Sequence, residues 1–499
     1  MTTRLPCPPA PGPLEAYAAR FDELFGSLAQ RRGFRAYLAG LLLPRSRNKT
    51  LTCLAGVEPV TGAQHPAVQR LQFFLSESTW DHEQVNARRL ELLLADPVTA
   101  PHGAGVLVID DAGDGKDGTA TAHLGRQWLG RLGKTDRGLV TVTTLWADER
   151  CSYPRPAMPY TPAHPFPKGR TDPAFRTKLQ LGVALAGDAP AAGVAFRAVV
   201  ADCAYGDQDA FRGELATAGL AFVLALKRRR GVWAYGDQAH TPVDAARALA
   251  WGGPDNPGDW TAVARTFRDG HTATWWAADA QLGWWGPDGT TRLVVATTDP
   301  AALPETSTWY LATNLPRPGS PHAAHSPHRP ADLAELVRRY GIRNWIEQRY
   351  KQVKDELGWA DFQVRSDVAI RRHQTLVNCA FSFCWQATDA ADSLPPQPQP
   401  GLRTDPGAPP DPKPEAAQPA VATAARGARR SSPSALDSRH DLAGRVMSGA
   451  GLADPLDRAA TLVAGMVQGA PADRTPSLDH RGHRRTGPEP LHPGLTNHR

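Results

Sequence analysis

A chain of 499 residues and 53.7 kDa is too long for one ordinary domain, and at roughly 150 residues per unit it calls for about three. Hydrophobic residues make up 41% and charged residues 21%, enough for a sizeable core yet leaner than an average globular chain, so part of the sequence is expected to stay unfolded. Lys+Arg 56 against Asp+Glu 50 leaves +6, a balance compatible with a polyanionic partner but shared by many soluble proteins. The six cysteines (Cys7, Cys53, Cys151, Cys203, Cys379, Cys384) form no CxxC pair, which speaks against a disulfide framework or a zinc ribbon and for a reducing compartment. Met1 to Pro13 carries prolines where a signal peptide needs an apolar run, and no stretch approaches the ~18 to 20 apolar residues of a membrane span. A cytoplasmic protein without a membrane partner is expected.

Residues 14–95 read as helical. Tyr17, Phe21, Leu24, Phe25 and Leu28 recur at steps of three and four, and Leu71, Phe73, Phe74, Leu75 and Trp80 follow a Pro66 start. With Arg31, Arg32, Arg35, Arg45, Arg47 and Lys49, this unit is a candidate DNA-docking domain. The texture changes over 104–227: Val106-Leu107-Val108-Ile109, Leu139 to Trp146, Phe196 to Ala201 and Phe222 to Leu226 look like buried strands, with a helix containing Phe211 and Leu215 between the last two. Strands alternating with helices predict an α/β core. Residues 228–330 are rich in Trp, Gly and Pro, with strand-like pieces at Arg292 to Thr297 and Tyr310 to Thr313, and predict a β-rich insertion. Helical periodicity returns from Ala331 to Leu357 and from Asp367 to Trp385, so 331–391 is expected to close the core. No Phe, Tyr or Trp follows Trp385, and 393–499, apart from a short helix around Leu452 to Val467, is expected to be disordered.

Two carboxylate positions end buried strands, Asp110/Asp111 and Asp202, and the carboxyl ends of strands are where sites form in open α/β sheets. An isolated Asp there is more often a turn former or helix cap. A third position sits in the helix 331–357, where Tyr340, Arg343, Glu347 and Lys354 fall within an arc of roughly 60° at about 100° per residue. Bulky apolar residues flank this stripe, which suggests partial desolvation rather than a simple solvated face. Three separated carboxylates, Asp111, Asp202 and Glu347, can hold two hard divalent ions, Mg²⁺ or Mn²⁺, at oxygen-only sites suited to phosphodiester chemistry. Arg343 and Lys354 would then neutralise phosphate charge. Asp110 competes with Asp111, because strand neighbours point to opposite faces and only one of the two should reach the metals.

The spacing Y-x2-R-x3-E-x6-K at Tyr340, Arg343, Glu347 and Lys354 resembles the signature of cut-and-paste insertion-sequence transposases with a DDE site. The stretches LVIDDAG, GRQWLGRLGK, VVADCAYG and IEQRYKQVKDELGWADFQVRS are similar to the insertion-sequence 701 group, over about 14–390. The resemblance implies an RNase H-like core interrupted by the β-rich insertion. It also implies Asp111, Asp202 and Glu347 as catalytic metal ligands, and Tyr340, Arg343, Lys354, Arg126 and Lys134 as DNA contacts. By the same token, the protein would bind terminal inverted repeats of double-stranded DNA as a homodimer on paired ends, would associate with the nucleoid when bound, and would stack an insertion Trp on an extruded base. Ala112 stands where the family expects Thr, and Asp136-Arg137-Gly138-Leu139 where it expects a polar Asn-Cys-Gln-like run. Two other function classes stay open: a non-catalytic DNA-binding regulator, and a metal-dependent nuclease that never joins strands.

Other motifs fail on spacing. Gly133-Lys134-Thr135 ends like a P-loop, but its first glycine would fall at Trp128. Asp110 to Gly115 imitates a calcium loop, but Ala112 occupies a ligand position and Thr121 the place of the bidentate Glu. His322, His325 and His328 lie in a Pro-rich stretch that reads as a loop rather than a zinc site.

Overall fold

The computed structural model describes residues 12–392 apart from Arg45, Thr61, Arg268 and Asp269, and leaves out the side chains of Arg131, 344–352 and 386–392. The expected tail, 393–499, and its short helix lie outside the described residues. Five helices open the chain: α1 (Pro13–Ala19), α2 (Leu28–Leu42), α3 (Leu51–Leu54), α4 (Pro66–Ser76) and α5 (His82–Ala95). Ser27 and Gln30 start α2 with a reciprocal capping box, and Pro66 begins α4, where its missing N–H costs nothing. Phe21, Phe25, Phe34, Phe74 and Trp80 stack in a chain of ring contacts 5.0 to 6.1 Å apart.

The sheet comprises β1 (Val106–Gly115), β2 (Gly125–Leu129), β3 (Lys134–Ala147), β4 (Ser152–Pro159), β5 (Ala198–Ala201), β6 (Phe222–Ala225), β7 (Thr261–Thr266), β8 (Thr272–Ala280), β9 (Arg292–Thr297) and β10 (Thr308–Thr313). Its order is β2-β3-β1-β5-β6-β10-β9-β8-β7, with β4 also on β3; β1, β5 and β6 run parallel and the other pairs antiparallel. Between strands come α6 (Lys178–Ala191), α7 (Cys203–Gly206), α8 (Asp209–Thr217) and α9 (Pro242–Arg247), and α10 (Leu333–Glu356) and α11 (Asp367–Asp392) follow. The expected β-rich insertion therefore is no separate layer: β10 pairs with β6, and four strands prolong the core sheet.

Each face of the central strands has its own cover. Leu107 and Ile109 of β1, with Val199 and Ala201 of β5, join one buried cluster with α6, α8, α11 and the N-terminal helices. Val106 and Val108, with Ala198 and Val200, join another with Leu336, Tyr340 and Ile342 of α10. Odd and even positions thus face opposite layers, as the pleat requires. Helix α10 touches β1, β5 and β6 and also β7 and β8 at the far edge, so the twisted sheet curls round it.

The N-terminal helices share their core with α11. Tyr17 donates to the Cys379 carbonyl at 3.1 Å, Tyr37 lies 2.8 Å from Nδ1 of His373, and the buried Arg89 guanidinium donates to the Pro154 carbonyl at 2.8 Å and to Ser382 at 3.2 Å. Several boundaries differ from the expected ones. Strand β1 continues past Asp110 and Asp111 to Gly115, because β3 goes on pairing with it as far as Gly115↔Gly138. Strand β4, with prolines 154, 156 and 159, pairs among the described residues with β3 alone, and such an edge tolerates proline.

Candidate active site

Asp110 and Asp202 both continue the even-numbered rows of their strands, so they lie on the α10 side of the sheet, whereas Asp111 continues the odd-numbered row. Asp202 caps the one-turn α7: its Oδ1 accepts from the Ala204 N–H at 2.9 Å, and its Oδ2 lies 3.8 Å from Nη2 of Arg343. The turn former and the candidate site residue are the same aspartate. Asp110 accepts the N–H of Asp111 at 2.9 Å. Burial pushes its carboxyl up to about 6, the Arg343 guanidinium pulls it down, and the Asp202 carboxylate adds to the rise. Two carboxylates and one largely buried arginine thus share an electrostatic site.

Asp111 is engaged on the other side. Its Oδ1 accepts from the Tyr205 hydroxyl at 2.5 Å and its Oδ2 from Lys178 Nζ at 3.0 Å. Burial and this carboxylate together hold the Tyr205 phenol well above its ordinary range. Neither Tyr205 nor Lys178 was singled out from sequence; the only signal was that Tyr205 follows Asp202 by three residues in VVADCAYG.

Helix α10 runs in the direction of β1. Near its start Arg339 donates to the Ala104 carbonyl, just before β1, and further on Arg343 reaches Asp202, just after β5. The helix is continuous through position 347, which lies one turn, about 6 Å, beyond Arg343 and therefore past the carboxyl end of β5. The Glu347 side chain is outside the described ones, and among the described residues no three acidic, His or Cys side chains cluster as a metal site.

The other expected contacts are placed unevenly. Tyr340 is 5% exposed and packs edge-on against Trp309, centroids 5.0 Å apart, so its ring belongs to the core under α10. Lys354 lies two turns beyond position 347, half-buried. Arg126 is exposed on β2, and Lys134 is exposed but paired with Asp136 at 2.7 Å. Of the basic residues in the N-terminal helices, Arg35 binds Glu15 and Asp22, Arg47 donates to Thr52 and Val57, and buried Lys49 donates to the carbonyls of Gly40, Leu41 and Leu43 at the end of α2. These three hold the fold together instead of presenting a basic face.

No helix among the described residues is long and apolar enough to cross a membrane. Comparison with known proteins agrees with the geometry. The chain is 28% identical to the probable transposase for insertion sequence element IS701 of Microchaete diplosiphon, over 354 residues that cover 70% of this chain and 81% of that protein. The model of the DDE superfamily endonuclease family matches residues 20–280, which contain Asp110, Asp111 and Asp202 and stop before α10. With a match over more than half its length and a mixed α/β sheet consistent with an RNase H-like core, the chain belongs to the DDE superfamily endonucleases.

Proposed function

We propose that this protein is a DNA transposase that cuts and joins strands by phosphoryl transfer, with Asp110, Asp202 and Glu347 as its acidic triad. The observation that carries this reading is the shared face of Asp110 and Asp202, opposed by Arg343 on the helix that bears position 347. The sequence resemblance points to Asp111 for the triad, with Asp110 as the alternative; the parity of β1 favours Asp110. Two carboxylates held together, one pushed up by burial and by its neighbour's charge, form an oxygen donor set with uncompensated negative charge, which fits a hard divalent cation such as Mg²⁺ or Mn²⁺. Such ions, bound by Asp110, Asp202 and Glu347, would supply an activated water or hydroxyl and stabilise the leaving oxygen.

The chain's own residues do the rest. Asp202 keeps one oxygen on the α7 N-terminus, which fixes the other toward Arg343. Arg343 limits the repulsion between the two carboxylates and presents cationic charge where a phosphate would lie. Lys354, further along α10, and the exposed Arg126 of β2 are further cations offered to DNA, while Tyr340 belongs to the core under α10. Binding to terminal inverted repeats, a homodimer on paired ends and release of a 3′ hydroxyl that attacks first the opposite strand and then target DNA complete the proposal.

Incubation with labelled end-bearing DNA and Mg²⁺ tests it: cleaved and joined products are expected, and Glu347→Gln should abolish both while sparing binding. Retention without cleavage would instead identify a DNA-binding regulator, and cleavage without joining a nuclease.

A further inference from the structure

We propose that Asp111 and Tyr205 are positioning residues that set the separation of the Asp110 and Asp202 carboxylates, an inference that rests on Asp110 and Asp202 being the metal-binding pair. Asp110 and Asp111 are covalent neighbours in the middle of β1. Asp202 and Tyr205 are the two ends of the single turn of α7, Asp202 as its cap and Tyr205 near its close. The 2.5 Å bond from Tyr205 to Asp111 therefore ties the turn that Asp202 caps to the residue that follows Asp110, through backbone on both sides and one hydrogen bond between them. One proposed ligand sits at each end of that linkage.

The mount is closely packed. The Tyr205 ring is 3% exposed and packs on Phe211 at 5.1 Å. Gly182 of α6 lets that helix close down on it: a Cβ there would come within 3.3 Å of Tyr205 and 3.4 Å of Ile109. Gly206 lies so near the Ala225 carbonyl that any side chain would collide with it, so α7 packs directly against the end of β6. Lys178, beside the Thr177 cap of α6, neutralises Asp111 at 3.0 Å, and the brace adds no net negative charge next to the pair.

The physical need is plain. Two carboxylates on one face repel, and each increment of separation weakens their joint hold on a small cation. Groups that orient metal ligands from behind are typically worth 10–100-fold in metal affinity. The brace supplies that orientation from the opposite face of the strand, without touching metal or DNA.

Titration of the full chain with Mn²⁺ alone, followed calorimetrically and by the paramagnetic signal of free Mn²⁺, tests this with four proteins. Tyr205→Phe should raise the Mn²⁺ Kd about 10–100-fold, and DNA cleavage should return at saturating Mn²⁺. Asp111→Asn, which keeps an acceptor oxygen but loses its charge, should weaken Mn²⁺ binding about tenfold and serves where Tyr205→Phe does not fold. Asp110→Asn should abolish specific binding. Unchanged affinity in folded Tyr205→Phe or in Asp111→Asn overturns the brace while leaving the pair intact. Abolition in Asp111→Asn with binding kept in Asp110→Asn overturns the pair itself, because Asp111 would then be the ligand.

Discussion

Replacing Asp110 with Asn should stabilise the metal-free protein at pH 8 and do nothing at pH 4. Asn has the same shape and keeps an oxygen for the Asp111 N–H, so the change removes charge and little else. The folded carboxyl is pushed up to about 6 by burial first and by Asp202 in part, against an ordinary value of 3.8. At 1.36 kcal/mol per unit this corresponds to roughly 3 kcal/mol, reduced to about 1–2 kcal/mol because the group is only partly withdrawn from solvent. The sign follows from linkage: with the folded value above the unfolded one, this group's contribution is intact below about pH 4 and is lost as pH rises through about 6. Asp110→Asn escapes that loss. Asp111→Asn should act oppositely and cost about 1–2 kcal/mol at pH 8, since a charged acceptor of two hydrogen bonds is removed. Calorimetric melting of wild type and both variants in EDTA at pH 4 and pH 8 makes the comparison, with shifts of roughly 1–2 °C expected for a folded body of this size. A fall in stability for Asp110→Asn at pH 8, or the same change at both pH values, would refute the reasoning.

Arg343 holds the Asp110 carboxyl down, so Arg343→Ala should raise it further and move the pH midpoint of Mn²⁺ binding upward; an unchanged midpoint in a titration from pH 5 to 9 would count against their coupling. Asp367, though burial alone would raise it, is kept at about 2 by its bond to His123 at 2.6 Å and by Arg371. Its stabilisation is present above the unfolded value of about 4 and lost as pH falls through about 2, so Asp367→Asn should flatten the acid limb of the stability profile between those values. Arg89 joins α5 to β4 and α11 through buried acceptors, and Arg89→Ala should cost about 3 kcal/mol in a urea titration. A cost below 1 kcal/mol would show that the N-terminal helices are held chiefly by their apolar faces.

Much of this architecture was legible in residue order. The apolar runs of β1, β5, β6 and β9, the Pro66 start of α4 and the periodicity of α10 and α11 all fall where pattern places them, because each element's burial agrees with its local propensity. Elements whose local signal conflicts with their setting were missed. The residues of β4 include three prolines, α6 carries Pro190, and β2 turns Trp128 outward, so its alternation reads inverted. The choice between Asp110 and Asp111 was illegible for another reason. Val106 to Ile109 is apolar on both faces, so nothing in the run distinguishes the α10 side from the α6 side. Only the packing of helices more than 60 and 220 residues away decides it. Likewise the basic residues near the N-terminus look like a DNA face until Lys49 is seen to close the end of α2.

The most direct test of the central claim is the anomalous signal from crystals of the protein soaked in Mn²⁺ with an end-bearing DNA duplex. Manganese bound by the carboxylates of Asp110, Asp202 and Glu347, at oxygen distances of about 2.1–2.3 Å, is the predicted result. Manganese held by Asp111, with Asp110 turned away, would contradict the account.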